Sequence, residues 1–351
     1  MMKGRRSIKE LKNMKTVEEL EARLAEPSQA LIDDLAAMEG DILILGVGGK
    51  MGPSLARLAA NAVRQGGLSK QIIGVSRFSN AQARQELEAA GVKTIACDLL
   101  NDEELQRLPD ARNVIYMAGN KFGTTGREYF TWAMNAYLPG RVAEKYKHSR
   151  IVVFSSGNVY PFSPVGSGGV NESVAPEPIG EYAQSCLGRE RVFEYFAHQN
   201  QTPMTIYRLN YAIDMRYGVL LELAKAIQEG REIDVTMGYA NVIWQGDANE
   251  MALRCLNHCG TPPAILNVTG PETMSIRWAA GELAKRLGKE ALLTGTESDT
   301  ALLNNASRSH QLFGYPRVSL LQLIDWTTEW VQAGGHTWNK PTHFQERKGK
   351  F

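Results

Sequence analysis

Seven residues, Gly46-Val47-Gly48-Gly49-Lys50-Met51-Gly52, have the composition and spacing to hold a diphosphate. Glycine suits such a turn for two reasons. The backbone must take angles that side chains resist. A diphosphate must also approach bare N–H groups at a helix start, where the dipole favours negative charge. Pro53 follows, in the first turn of the expected helix, where its missing N–H costs no bond. No Gly-Lys-Ser/Thr ending occurs, which excludes a triphosphate-binding P-loop. An empty glycine turn is the plain alternative, and a strand before with a helix after favours the binding reading.

A second signal lies at Val75-Ser76-Arg77-Phe78. An NAD site would place an acidic residue near Ser76 to hold the ribose 2′-hydroxyl. None stands there. Arg77 offers a planar cation and several donors, and with Ser76 it suits a 2′-phosphate. The expected cofactor is therefore NADP, with NAD as the alternative. Cys255, His258 and Cys259 could share one helix face, but a metal site would need a fourth ligand and usually another spacing. The expectation is no metal, two small semi-buried thiols and a surface histidine.

Elements that would position these residues alternate along the chain. Asp41–Leu45, Gln71–Ser76, Val92–Cys97, Asn113–Ala118, Arg150–Phe154 and Met204–Leu209 read as buried parallel strands. Helices are expected over 53–65, 80–90, 127–147 and 181–198. Later helices fall near 218–229, 246–259, 275–287, 298–312 and 320–333, with short strands near 232–235 and 265–268. This rhythm predicts an α/β fold, a doubly wound parallel (Rossmann) sheet with a smaller C-terminal substrate lobe. Residues 1–40 read as a helical extension, with a capping box at Thr16 and a cap at Ser28, covering the sheet or another subunit. Residues 41–210 form the expected dinucleotide-binding domain and 211–333 a mixed α/β lobe sharing strands and helices with it. Residues 334–351 are a tail, either folded over the lobe or lying on the surface.

The bulk numbers agree. The chain has 351 residues, 43% hydrophobic, with a formal net charge of +1, so there is material for a large core and no electrostatic footprint for nucleic acid. No apolar run is long enough to span a bilayer, and no apolar core follows the basic N-terminus as in a secretory signal. The expectation is a cytoplasmic protein with no nucleic-acid or membrane partner. Four cysteines make no disulfide framework.

The glycines at 46, 49 and 52 resemble the Gly-x-x-Gly-x-x-Gly of extended short-chain dehydrogenases/reductases, the NAD(P)-dependent epimerase/dehydratase family. The resemblance covers about residues 41–332. Cys97-Asp98-Leu99 is similar to the segment whose aspartate contacts adenine. Ala118-Gly119-Asn120-Lys121 resembles the segment that runs under the cofactor, and Asn135 the family's helix asparagine. Ser155-Ser156-Gly157-Asn158-Val159-Tyr160 resembles the run that makes Ser156 the catalytic hydroxyl. Arg208-Leu209-Asn210, Trp244–Asp247 and Asn267–Gly270 resemble later landmarks. The resemblance implies cofactor contacts at Gly46, Gly48, Gly49, Lys50, Met51, Gly52, Ser76, Arg77, Asp98, Leu99, Ala118, Gly119, Lys121 and Tyr182.

The catalytic Tyr-x-x-x-Lys of the family is matched by Tyr182 but not by Cys186. Four residues is one helical turn, so the family's lysine stands beside the tyrosine. An ordinary tyrosine has a pKa of about 10 and is almost wholly protonated at neutral pH. A neighbouring cation lowers that value, and cysteine supplies none. Three readings stay open. Tyr182 works with a displaced cation, for which Lys121 is the candidate. The protein binds dinucleotide and ligand as a sensor or scaffold with little turnover. Other groups, Cys186 among them, carry a modified chemistry.

The implied function is oxidoreduction or epimerisation at a hydroxyl or carbonyl carbon of a sugar, sugar nucleotide or similar polyhydroxylated molecule. Tyr182 would move the proton and Ser156 hold the oxygen. Thr124, Asn158, Asn210 and Tyr211 are the expected substrate contacts, with Arg216 and Trp244 as wall residues. Acidic residues expected after Ser156 in a dehydratase are absent. The resemblance also implies a homodimer built from helices near 127–147 and 181–198.

Overall fold

The computed structural model describes residues 14–121 and 126–350. Seven strands form one parallel sheet: β1 (Ile42–Leu45), β2 (Ile72–Ser76), β3 (Lys93–Ala96), β4 (Asn113–Tyr116), β5 (Arg150–Ser156), β6 (Met204–Leu209) and β7 (Ala264–Val268). Their order is β3-β2-β1-β4-β5-β6-β7. Ile42 pairs with Ile72 on one side and Asn113 on the other. Every residue of β1 and β4 is buried, as helices on both faces require. The winding direction reverses between β1 and β4, which opens a crevice at the carboxyl ends of the strands.

The helices are α1 (Val17–Leu24), α2 (Gln29–Ala36), α3 (Gly52–Gln65), α4 (Ala81–Ala89), α5 (Asp102–Arg107), α6 (Glu128–Trp132), α7 (Leu138–Lys145), α8 (Gly180–Asn200), α9 (Val219–Glu229), α10 (Gln245–Arg254), α11 (Ile276–Leu287), α12 (Ser307–Phe313) and α13 (Leu320–Gln332). The capping box at Thr16 and the cap at Ser28 both form. Leu20 and Leu24 of α1 enter the lobe core with Leu223, Leu283, Trp326 and Trp330. Leu31 and Leu35 of α2 enter the sheet-side core with Leu55 and Leu58 of α3. The extension therefore fastens the lobe to the sheet within one chain. Among the described residues no helix is long and apolar enough to cross a membrane.

Three expectations need correction. The helix expected over 298–312 is only α12. Thr300–Ala301 instead pairs with Ser163–Pro164, and Asn305 Oδ1 accepts from the Ser307 N–H, which starts the helix late. The helix α5 was not expected. Its cap is Asn101, whose side chain accepts from Glu103 and Glu104 N–H groups, ahead of an acidic first turn. The long helix over 127–147 is interrupted by a π turn, Ala133–Tyr137. Pro139 has no N–H to give the Asn135 carbonyl, and the helical ladder loosens there.

Candidate active site

The glycine turn leaves β1 at Gly46, whose φ is +93°. A Cβ at Gly46 would lie 2.6 Å from the Ala118 nitrogen, and one at Gly52 would lie 2.2 Å from the Val47 oxygen. Only bare backbone lets this turn close against the segment after β4 and enter α3. Ser76, at the end of β2, lays its hydroxyl over Gly48, and Arg77 beside it is exposed. Asp98 Oδ1 accepts from the Leu100 N–H at 3.0 Å, while Leu99 and Ala118 are buried. Gly46, Gly48, Gly52, Ser76, Arg77, Asp98, Leu99 and Ala118 thus lie along the carboxyl ends of β1 to β4. A tight bare turn, a helix start and an open strand-end crevice fit a dinucleotide.

Beside the turn is a cavity of about 360 Å³. It gathers Gly49, Lys50 and Met51 from the turn, Gly119 and Lys121 after β4, Ser156 and Asn158 at the end of β5, Tyr182 and Arg189 from α8, and Asn210 and Tyr211 after β6. Thr124 lies outside the described residues. Lys340 and Thr342 of the tail complete the wall. The tail folds over the lobe: the Thr342 N–H donates to Glu222, the Trp338 N–H donates to the Arg216 carbonyl at 3.1 Å, and Phe344 is buried.

Tyr182 sits in the first turn of α8, in hydrogen-bonding contact with Ser156 and with the Cys186 thiol one turn on. Burial pushes its pKa well above the ordinary tyrosine value, and Cys186 adds to the rise. Arg189 pulls it down. That guanidinium is buried, donating to the Phe154 carbonyl and to Asn135 Oδ1, each at 2.8 Å. It lies so close to Gly119 that a Cβ there would be 2.5 Å from Nη2. The Lys121 ammonium is 5.8 Å from the Tyr182 ring centroid, and burial lowers its own pKa. Arg189 was missed in the sequence. Its signal was spacing: seven residues after Tyr182 is two helical turns along the same face.

The surroundings hold these groups in place. Asn135, within the π turn, accepts from the Asn120 N–H at 2.8 Å and donates to the Asn120 carbonyl at 2.9 Å and to Ser185 at 3.0 Å. It thereby joins the segment after β4 to α8. Behind Ser156, Arg208 and Glu190 form a buried ion pair at 2.6 Å, and the Ser155 hydroxyl donates to Glu190. The Tyr160 hydroxyl accepts from Arg208 at 2.6 Å and donates to Asn267 at 2.9 Å. The Ser156 hydroxyl accepts from the Asn158 N–H at 3.2 Å. The Asn210 N–H donates to the Val268 carbonyl at 3.0 Å.

Two wall residues expected from the sequence lie elsewhere. Trp244 is fully buried in the lobe, edge-on to Trp326 at 5.3 Å. Arg216 pairs with Asp214 at 2.6 Å and with Glu21, and it lines a neighbouring cavity of about 340 Å³. The four cysteines are free, and His258 stacks edge-on against Phe313 at 5.2 Å. Among the described residues no group of side chains has the arrangement to hold a metal.

Comparison with known proteins places this geometry. No curated protein matches the sequence. Among solved structures, the UDP-glucuronic acid 4-epimerase of Bacillus cereus, in complex with UDP-glucuronic acid and NAD, is 20% identical. The match covers 83% of this chain and 99% of that one, with a TM-score of 0.67. The Thermus thermophilus UDP-glucose 4-epimerase, in complex with NAD, is 16% identical over 83% of this chain and 99% of its own, with a TM-score of 0.68. The Thermotoga maritima UDP-glucose 4-epimerase with UDP-glucose is 15% identical over 84% and 99%, with a TM-score of 0.64. These share the fold. The family model for the NAD dependent epimerase/dehydratase family matches residues 42–249, more than half of the chain. The chain belongs to that family and is a nicotinamide-dinucleotide-dependent enzyme.

Proposed function

We propose that the protein interconverts a hydroxyl and a carbonyl on the sugar of a nucleotide sugar, as an epimerase or an oxidoreductase. The observation that carries this is the contact between the Tyr182 hydroxyl and Ser156, at a cavity wall that opens onto the glycine turn. A bound nicotinamide dinucleotide supplies hydride acceptance and return. The chain supplies the rest. Ser156 orients the substrate oxygen and Tyr182 takes up or gives its proton. Arg189 is a positioning residue: its buried charge opposes, in part, the rise that burial and Cys186 cause at Tyr182. Lys121, the candidate cation from the sequence, stands 5.8 Å from the Tyr182 ring centroid and lines the same cavity. Asn158, Asn210 and Tyr211 border the substrate.

NADP is the proposed form of the cofactor, with Ser76 and Arg77 at the 2′-position and no acidic residue closing β2. Four free thiols suit action in the reducing cytoplasm. The test is incubation of the full chain with NAD or NADP and UDP-glucose or UDP-glucuronic acid, with chromatography of the products. A C4-inverted sugar or an oxidised sugar supports the reading. Tight cofactor binding with unchanged sugars, at any pH and with either cofactor, supports instead the sensor reading that the uncharged Cys186 favours.

A further inference from the structure

Beyond Lys340 and Thr342 at the cavity wall, and Phe344 in the lobe core, the tail continues to the start of α8. Arg347 fixes its course. The guanidinium donates to the Thr300 carbonyl at 2.9 Å and to the Thr300 hydroxyl at 2.7 Å, and it lies 4.3 Å from the centroid of the Phe162 ring. Thr300 in turn pairs with Pro164, in the segment that leads from Ser156 to α8. Two residues after Arg347, Gly349 meets the N-terminus of α8. Gly349 and Gly180 have φ values of +73° and +81°. A Cβ on Gly180 would lie 2.3 Å from the Gly349 oxygen, and a Cβ on Gly349 would lie 2.4 Å from the Ile179 oxygen. Both obstacles are backbone, which cannot swing aside as a side chain does, and side chains resist both angles. The tail is thus packed, backbone on backbone, two residues before Tyr182.

Resting on the acid/base reading of Tyr182 above, we propose that Arg347 and Gly349 are positioning residues: the end of the tail braces the first turn of α8 and so holds Tyr182 against Ser156. The two hydroxyls come from separate elements, Ser156 from the end of β5 and Tyr182 from α8, so their contact is only as firm as the start of that helix. A first turn is the weak part of a helix, because its leading N–H groups have no partner within it and it frays. Side-chain capping does not remedy this here, since the cap residue is Ile179 and makes no such bond. The packed tail takes the place of the cap. Proton transfer needs Tyr182 within hydrogen-bond reach of the substrate oxygen. Because Lys340 and Thr342 belong to the same segment, one stretch of chain sets both the cavity wall and the tyrosine.

The experiment compares the full chain with Gly349→Ala, which sets a side chain against the Ile179 carbonyl, and with Arg347→Met, which releases the tail two residues earlier. Arg347→Lys is the conservative control. Hydrogen exchange with bound cofactor is read over residues 184–187, whose N–H groups close the first turn of α8. The expected result is exchange about tenfold faster there in both variants, with residues 190–198 of the same helix unchanged and Arg347→Lys close to wild type. With UDP-glucose or UDP-glucuronic acid, kcat should fall by about tenfold to a hundredfold, while KM and the dinucleotide Kd stay within about twofold. Wild-type exchange over 184–187 in the variants overturns the proposal, whatever the melting temperature does. So does faster exchange with kcat unchanged, which would make the brace a matter of stability alone. If Gly349→Ala fails to fold, Arg347→Met carries the test. If neither sugar turns over in the wild type, the nucleotide-sugar reading fails by itself, and the exchange over 184–187 sustains or ends the brace.

Discussion

Tyr182 is half-buried, and desolvation, followed by the thiol one turn away, raises its pKa. Its usefulness as an acid/base depends on Arg189. Tyr182→Phe should lower kcat by a hundredfold to ten-thousandfold, about the range for a lost proton-transfer group, with dinucleotide affinity unchanged in calorimetry. Arg189 acts on pH dependence. It lowers the Tyr182 pKa, so removing it raises that pKa. When Tyr182 serves as base, kcat rises as pH passes its pKa, and Arg189→Met should move that rise to higher pH. Cys186→Lys placed in the Arg189→Met background should move it back, because a lysine one turn from Tyr182 restores the charge. A pH profile that does not move in either variant removes Arg189 from the chemistry. Tyr182 and Ser156 were reached from the sequence only through the family resemblance, each by a short run of its own. Arg189 was not, because a sequence does not show that its guanidinium threads between Gly119 and Phe154.

At the scale of elements, the sequence was most legible where burial is two-sided. β1 and β4 are unbroken apolar runs because helices cover both faces. It was least legible where long-range pairing decides. Thr300–Ala301 is extended only because Ser163–Pro164 lies against it. The π turn at Asn135 likewise answers to tertiary contacts, with Asn120, Ser185 and Arg189 all bonded to one side chain. The glycine turn combines both kinds of information: its spacing was visible, and the reason for Gly46 is the Ala118 nitrogen 2.6 Å from any Cβ. At a hundredfold excess over Kd, a cofactor raises stability by about 2.7 kcal/mol. The wild-type chain should show that shift in thermal melts, and Gly46→Ala should show none. Gly119→Ala should keep the cofactor shift and reproduce the altered pH profile of Arg189→Met, because its Cβ displaces the guanidinium.

Across the whole molecule, the two terminal segments join parts that the sequence reading treated as separate. Residues 14–38 span both cores, and the tail brings Lys340 and Thr342 to the cavity. Phe344 is buried in the lobe core. Phe344→Ala should cost about 3 kcal/mol, seen as a lower melting temperature, and weaken ligand binding by loosening the tail. Tyr129, Tyr137 and Tyr195 are 74%, 60% and 62% exposed, on or beside the α6–α7 and α8 helices. Exposed aromatic side chains of this kind are what a partner copy would cover. Light scattering should give twice 38.8 kDa for the wild type and 38.8 kDa for a Tyr137→Glu, Tyr195→Glu variant.

The measurement closest to the central claim follows the absorbance of reduced nicotinamide in the cofactor-loaded chain after UDP-glucuronic acid or UDP-glucose is added. The account predicts a reduced-cofactor signal, or a C4-inverted sugar on chromatography where the hydride is returned, in the wild type and the loss of both in Tyr182→Phe, with the cofactor still bound. The absence of both a reduced-cofactor signal and a C4-inverted sugar with either substrate, or the same turnover from Tyr182→Phe, would contradict it.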